Sequence, residues 1–271
     1  MYRRLLIPVS TPSEVEPLLR FGAGLLDADG EIRILHIIRS HSLPEVIRDW
    51  RSSVNFVIPA HEAAAALDVQ ADPEIRASTD VAGEILDSAE TREVDAILMT
   101  LRGDRRERNP FVGHTASAIL HHAACDVVIV NRLALTGERI NRVLVPAFHE
   151  RPPPKVMRLA EEIAVHHQGI PIVTLGLSGV VPELTGEAGV ETLPRSPRGL
   201  PLLHRRATLD RGFLGRRHRL PEVILAEASR ERYGLLIVGE DPASTTGTLL
   251  TRRFLDELFR RAPCPVVAIR G

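Results

Sequence analysis

Aromatic residues make up only 4% of this 271-residue sequence, with a single tryptophan, Trp50, and there are just two cysteines, Cys125 and Cys264. So few thiols exclude a disulfide-stapled scaffold, and their separation does not match the close pairs of a zinc site. Charge of one sign is missing too. Lys and Arg number 34 against 35 Asp and Glu, a formal net of -1, so no global field draws nucleic acid, an anionic membrane or an acidic substrate. No apolar run approaches the roughly 20 residues that span a bilayer. The first one, Leu5 to Val9, is too short for the core of a signal peptide and polar residues follow it. The expectation is a cytoplasmic protein without membrane insertion. Also missing is any Gly-x-Ser-x-Gly elbow or matched set of Ser, His and Asp, so nothing in the chain demands catalysis and it is not read as an enzyme.

What is present is a globular composition, 44% apolar and 25% charged, and a repeat. From Ala96 to Val130 a short apolar run passes through an Arg-rich polar loop into an apolar-periodic segment and ends in a second apolar run. That order spells strand, loop, helix, strand. Near the C-terminus the segment from Gly234 to Arg270 repeats the plan, with Cys264 in the place of Cys125. The chain is built twice, as domains 1–134 and 139–271, with the linker over Asn131 to Glu138 most flexible at Thr136-Gly137.

Along the first copy, Leu5 to Val9 reads as a buried strand, and Thr11-Pro12-Ser13-Glu14 as a capping box with proline at the first helical position. Val15, Leu18, Leu19, Gly22, Leu25 and Leu26 recur at helical spacing, and Gly30 is placed to stop that helix. Ile32 to Ile38 is the next strand. Pro44, Trp50 and Pro59 interrupt any single period between Ser40 and Ala60, which reads as mixed. Then come a helix over His61 to Leu67, a strand over Glu74 to Ser78 and a helix capped by Asp80. In the second copy the strand at Arg142 to Ala147, the helix Lys155 to His167 and the strand Ile170 to Leu175 follow the same order. Ser178 to Leu203, dense in Pro and Gly, reads as a loop in place of a helix. A helix from Pro221 to Arg230, a strand from Leu235 to Val238, a helix from Arg253 to Arg260 and a strand from Val266 to Ile269 close the chain.

The opening strands LLIPV and RVLVPA, the strand ILHII and the closing segments ILHHAACDVVIV and LFRRAPCPVVAIR resemble the universal stress protein family in a tandem, two-domain form. The first half, through its EPLLR opening and LRGDRRER loop, is similar to the stress-protein domains fused to amino-acid permeases and antiporters. The resemblance implies two five-stranded, parallel-sheet, nucleotide-binding-like α/β domains with helices on both faces. It also implies a loop of the form G-x2-G-x9-G-S/T after the fourth strand. Glycines there allow positive φ and close backbone approach, so that amides and a helix N-terminus cradle phosphates. In the first copy this loop starts after Met99, its positions fall on Thr100, Gly103, Gly113 and His114, and Thr115 is next. In the second copy they fall on Gly239, Pro242, Arg252 and Arg253, and the glycine chemistry is nearly gone. The family's nucleotide binders place an Asp at the end of the first strand, where Ser10 and Phe148 stand here. The implied cofactor is ATP with Mg2+, or another adenine nucleotide, in the first domain only. Arg102, Arg105, Arg106 and Arg108 either hold an anion or form a solvated loop.

The pairs His121-His122 and His166-His167 read as surface histidines, because adjacent residues on a helix do not share a face. His36 reads as a core or sheet-edge residue. Between Arg195 and Arg219 eight arginines face Asp210 alone, yet Phe213 is the one aromatic there and a base-stacking platform is missing, which argues against nucleic acid. By resemblance, single-domain members dimerise through their last strands, and the tandem chain is expected to do so internally, Val127 to Val130 meeting Val266 to Ile269. A larger homo-oligomer is a further expectation. Two functional readings remain: a stress-response regulator that senses an adenine nucleotide, and a ligand-free protein-interaction module, with a membrane transporter as its partner.

Overall fold

A computed structural model describes residues 2–39, 42–100, 114–131, 140–148, 152–178, 190–192, 196–208, 216–240 and 251–270. They divide into two compact units, one ending at Val130 and the other starting at Asn131.

In the first unit the elements run β1 (Tyr2–Val9), α1 (Val15–Ala23), β2 (Leu26–Ile38), α2 (Leu43–Leu67), β3 (Gln70–Ala77), α3 (Val81–Thr91), β4 (Ala96–Thr100), α4 (His114–His122) and β5 (Asp126–Val130). The strands lie in the order β3-β2-β1-β4-β5, and every pair is parallel. Parallel neighbours need crossover helices, and right-handed crossovers put helices on both faces when the strand order reverses. Accordingly α1 packs beside α2, and α3 beside α4. The apolar runs are continuous in the central strands because both their faces are covered. Leu5, Leu6, Ile97, Leu98, Val128 and Ile129 are fully buried, each contributing roughly 1.5–3 kcal/mol of apolar transfer.

Two expectations change here, and one holds. The first helix ends at Ala23, not near Gly30. Leu25 donates its N–H to the Gly22 carbonyl at 2.9 Å and accepts from the Tyr2 N–H at 3.1 Å, which draws Leu26 into the sheet. Gly30 then sits in an irregular stretch of β2, where the register against β1 slips between Tyr2 and Arg4. A Cβ there would stand 3.0 Å from the Tyr2 carbonyl oxygen. The segment read as mixed is the single long helix α2, with Pro59 inside it at the cost of a backbone hydrogen bond. The expected cap at Asp80 is present, its carboxylate accepting from the Gly83 N–H at 2.9 Å.

The second unit repeats the order with β6 (Val143–Ala147), α5 (Pro154–His166), β7 (Ile172–Ser178), β8 (Val190–Thr192), β9 (Leu202–Thr208), α6 (Arg216–Arg230), β10 (Leu235–Glu240), α7 (Arg252–Arg261) and β11 (Val266–Arg270). Its strand order is β11-β10-β6-β7-β9-β8. The segment expected to be only a loop contains β8, which pairs antiparallel to β9 at the edge of this unit's sheet. Arg205, on β9, is held by Glu227 at 2.9 Å and Glu231 at 3.0 Å, both on or beside α6. Burial works against its charge, but these carboxylates outweigh it and raise its pKa. Arg198 pairs with Glu162. These two members of the Arg-rich run are thus neutralised within the fold.

Candidate functional site

In an open parallel sheet, ligands settle outside the carboxyl ends of the strands where the strand order reverses. In the first unit that point lies between β1 and β4: the chain leaves β1 toward β2 on one side and reaches β4 on the other. Leu5 pairs with Ala96 and Leu6 with Ile97, so Val9 and Thr100 end their strands at the same level. Ser10 follows directly on β1, and α4 opens at His114.

Of the residues singled out in the sequence, Ser10 and His114 are exposed, Thr100 and Thr115 are partly exposed, and Met99 is buried within β4 beside Ile129. Ser10 and Thr100 therefore stand at the strand ends on either side of the order reversal, while Met99 belongs to the core. Gly103 and Gly113, and the loop arginines Arg102, Arg105, Arg106 and Arg108, lie outside the described residues.

Glu14, read in the sequence as the far end of a capping box, does reach back to Thr11 and also holds Ser10. Its Oε2 accepts three hydrogen bonds, from the Ser10 N–H at 3.0 Å, the Ser10 hydroxyl at 2.8 Å and the Thr11 N–H at 3.2 Å. The spacing of Thr11 and Glu14 signalled a helix start. The same geometry also seats a carboxylate at the end of β1, where neither Ser10 nor Thr11 carries one. Beside it the His36 Nδ1 lies 3.2 Å from the Val9 carbonyl, and its ring packs against Phe56 with centroids 5.3 Å apart.

The second unit is different at the matching place. Phe148, directly after β6, is buried and meets Phe254 of α7, ring centroids 5.8 Å apart. Gly239 sits inside β10 opposite Ile269, and a side chain there would run into Val156 and Ile269. Pro242 lies outside the described residues, and Arg253 is exposed on the first turn of α7.

The universal stress protein family model matches residues 1–131. That half of the chain belongs to the universal stress protein family. Across the whole length, the chain is similar to a universal stress protein from Archaeoglobus fulgidus, at 16% identity with a TM-score of 0.69, covering 98% of this chain and 95% of that one. It is also similar to the cytoplasmic domain of a prokaryotic cation chloride cotransporter, at 12% identity with a TM-score of 0.55, covering 99% and 95%. These likenesses extend the universal stress protein fold to the second unit. No curated protein matches the sequence.

At the matching strand ends the first unit carries Ser10 and Thr100, exposed and partly exposed, and the second carries Phe148, buried against Phe254. No group of His, Cys, Asp and Glu able to hold a metal ion occurs among the described residues. His167 is shifted toward its neutral form, by burial and then by the neighbouring His166. Both cysteines are pushed up to about 11, mainly by burial, which makes them poor nucleophiles at neutral pH. No helix among the described residues is long and apolar enough to cross a membrane.

Proposed function

We propose that this chain is a universal-stress-type regulatory protein whose first unit takes an adenine nucleotide, ATP with Mg2+, at the carboxyl edge between β1 and β4. One contrast supports this most. At the ends of the matching strands the first unit carries Ser10 and Thr100, exposed and partly exposed, whereas in the second Phe148 is buried against Phe254. One nucleotide per chain is the expected stoichiometry. In this reading the phosphates meet the loop from Thr100 to Thr115, with Gly103 and Gly113 permitting close backbone approach. The test is calorimetric titration of Mg-ATP into the whole chain and into Gly113→Arg. Binding near one equivalent, lost in the variant, supports the nucleotide site; no heat at millimolar ATP in a folded protein overturns it.

A second reading follows from Glu14. Its carboxylate already occupies the Ser10 and Thr11 amides that end β1, so donors that would otherwise greet a ligand are satisfied within the chain. The alternative is then a protein-interaction module without nucleotide, a membrane transporter being the partner that the fused relatives suggest. Recovery of the same partner by the wild type and by Gly113→Arg, with no nucleotide bound by either, would favour it.

A further inference from the structure

The end of β1 is held from two sides. His36, on β2, lies level with Val9, and its Nδ1 stands 3.2 Å from the Val9 carbonyl oxygen. The next N–H of the chain, that of Ser10, donates to the Glu14 carboxylate at 3.0 Å. One peptide, Val9 to Ser10, is therefore fastened at its oxygen by His36 and at its nitrogen by Glu14. Phe56, itself buried, lies against the imidazole with ring centroids 5.3 Å apart. The ring cannot flip without losing its hydrogen bond, so its orientation is set before any ligand arrives.

That orientation decides which ring nitrogen carries the proton. A carbonyl oxygen only accepts, so Nδ1 is the donor, and in the neutral ring Nε2 keeps its lone pair. No hydrogen bond engages Nε2 among the described residues. The buried polar side-chain atoms left without a partner among those residues are Glu74 Oε2 and Ser88 Oγ. Nε2, on a half-buried residue, is not one of them and opens to solvent. The donors nearby are engaged: the Ser10 N–H, the Ser10 hydroxyl and the Thr11 N–H all give their hydrogens to Glu14 Oε2. What this strand end presents is acceptors, the Ser10 hydroxyl oxygen and the His36 Nε2, beside the negative charge of Glu14. A group that docks here must bring donors. A phosphate, with acceptors and negative charge alone, is turned away.

We propose that His36 Nε2 reads the nucleobase, accepting a hydrogen bond from the exocyclic 6-amino group of adenine. This inference rests on the nucleotide reading of the first unit and adds a direction to it: the base lies at the ends of β1 and β2, and the phosphates lie toward β4. A 6-oxo purine places a carbonyl where the amino group would be. Two acceptors then face each other without a proton between them, and the base is rejected. A site built to hydrogen-bond a ligand amine discriminates more strongly than one built on apolar shape.

His36→Asn separates the two nitrogens, because its amide N–H can still donate to Val9 while nothing replaces Nε2. The experiment titrates Mg-ATP and Mg-ITP, the 6-oxo counterpart, into the full chain and into His36→Asn, with thermal unfolding of both followed by circular dichroism. The wild type should prefer ATP by about tenfold or more. In His36→Asn the two affinities should come within about threefold of each other, with unfolding like that of the wild type. A wild type that binds both nucleotides equally overturns the inference and leaves the nucleotide site in place, and that comparison needs no variant to fold. An ATP preference that persists in His36→Asn overturns it likewise. Heat from neither nucleotide in the folded wild type overturns the nucleotide reading, and this inference with it.

Discussion

Phe148 and Phe254 meet edge to face, their rings 5.8 Å apart at the centroids and 72° apart in plane. Both are buried, and together they make an apolar contact at the end of β6. Truncating Phe148 to Ala should cost about 3–5 kcal/mol, read as a lower urea midpoint for the second unit. Phe254→Ala should cost a similar amount, and the double variant less than the sum of the two. Nucleotide titration of the first unit should be unchanged in all three.

Gly239 gives a sharper test of the same closure. Any Cβ at this position would meet Val156, and the Ile269 Cγ2 at 2.9 Å, so Gly239→Ala should destabilise the second unit by about 1–3 kcal/mol through overpacking. Thr100, where the same loop starts in the first unit, carries a side chain already and is partly exposed. Thr100→Ala should move thermal unfolding by less than about 0.5 kcal/mol. Scanning calorimetry of the two variants separates these outcomes.

Glu14 links the end of β1 to the start of α1. Glu14→Ala removes the acceptor of three hydrogen bonds and should cost about 0.5–2 kcal/mol, the range of a lost helix cap. Glu14→Gln, which keeps an acceptor oxygen, should recover most of that loss. Urea unfolding of both variants checks the order.

The thiols supply a pH dependence. Cys264 is buried and its pKa is pushed up from 9.0 to about 11 by burial. Its neutral form is thus favoured by folding. The stability this brings is complete below pH 9 and is lost as pH rises through 11, because the unfolded chain releases a proton that the folded chain keeps. Stability should fall across that window, and less steeply in Cys264→Ser. Native protein should react slowly with a thiol-specific disulfide reagent at pH 8, and urea-unfolded protein quickly.

Strands buried on both faces were legible in the sequence, because runs such as Ala96 to Met99 and Val127 to Val130 need no periodicity to be recognised. Helix α2 was not. Its lower half buries Phe56, Ala60 and Ala63 while Ile47 and Trp50 in its upper half face water on another side, so no single amphipathic period runs through it. Gly30 misled for a different reason: a glycine after an apolar row resembles a helix stop, and only the pairing of Tyr2 with Leu26 shows that the strand has already begun. At the site, Ser10 and Thr100 were recognisable as strand ends. That Glu14 would set its carboxylate on Ser10 depends on the chain reversing within four residues, which a cap signature alone does not convey.

Strand β3 is the outer strand of the first unit's sheet, and it carries Pro73 between Asp72 and Glu74 in its paired stretch. A residue without an N–H breaks the row of donors along that strand. The edge is thereby a poor template for cross-β stacking. Replacing Pro73 would remove this safeguard during synthesis, when chains meet at high concentration before folding is complete.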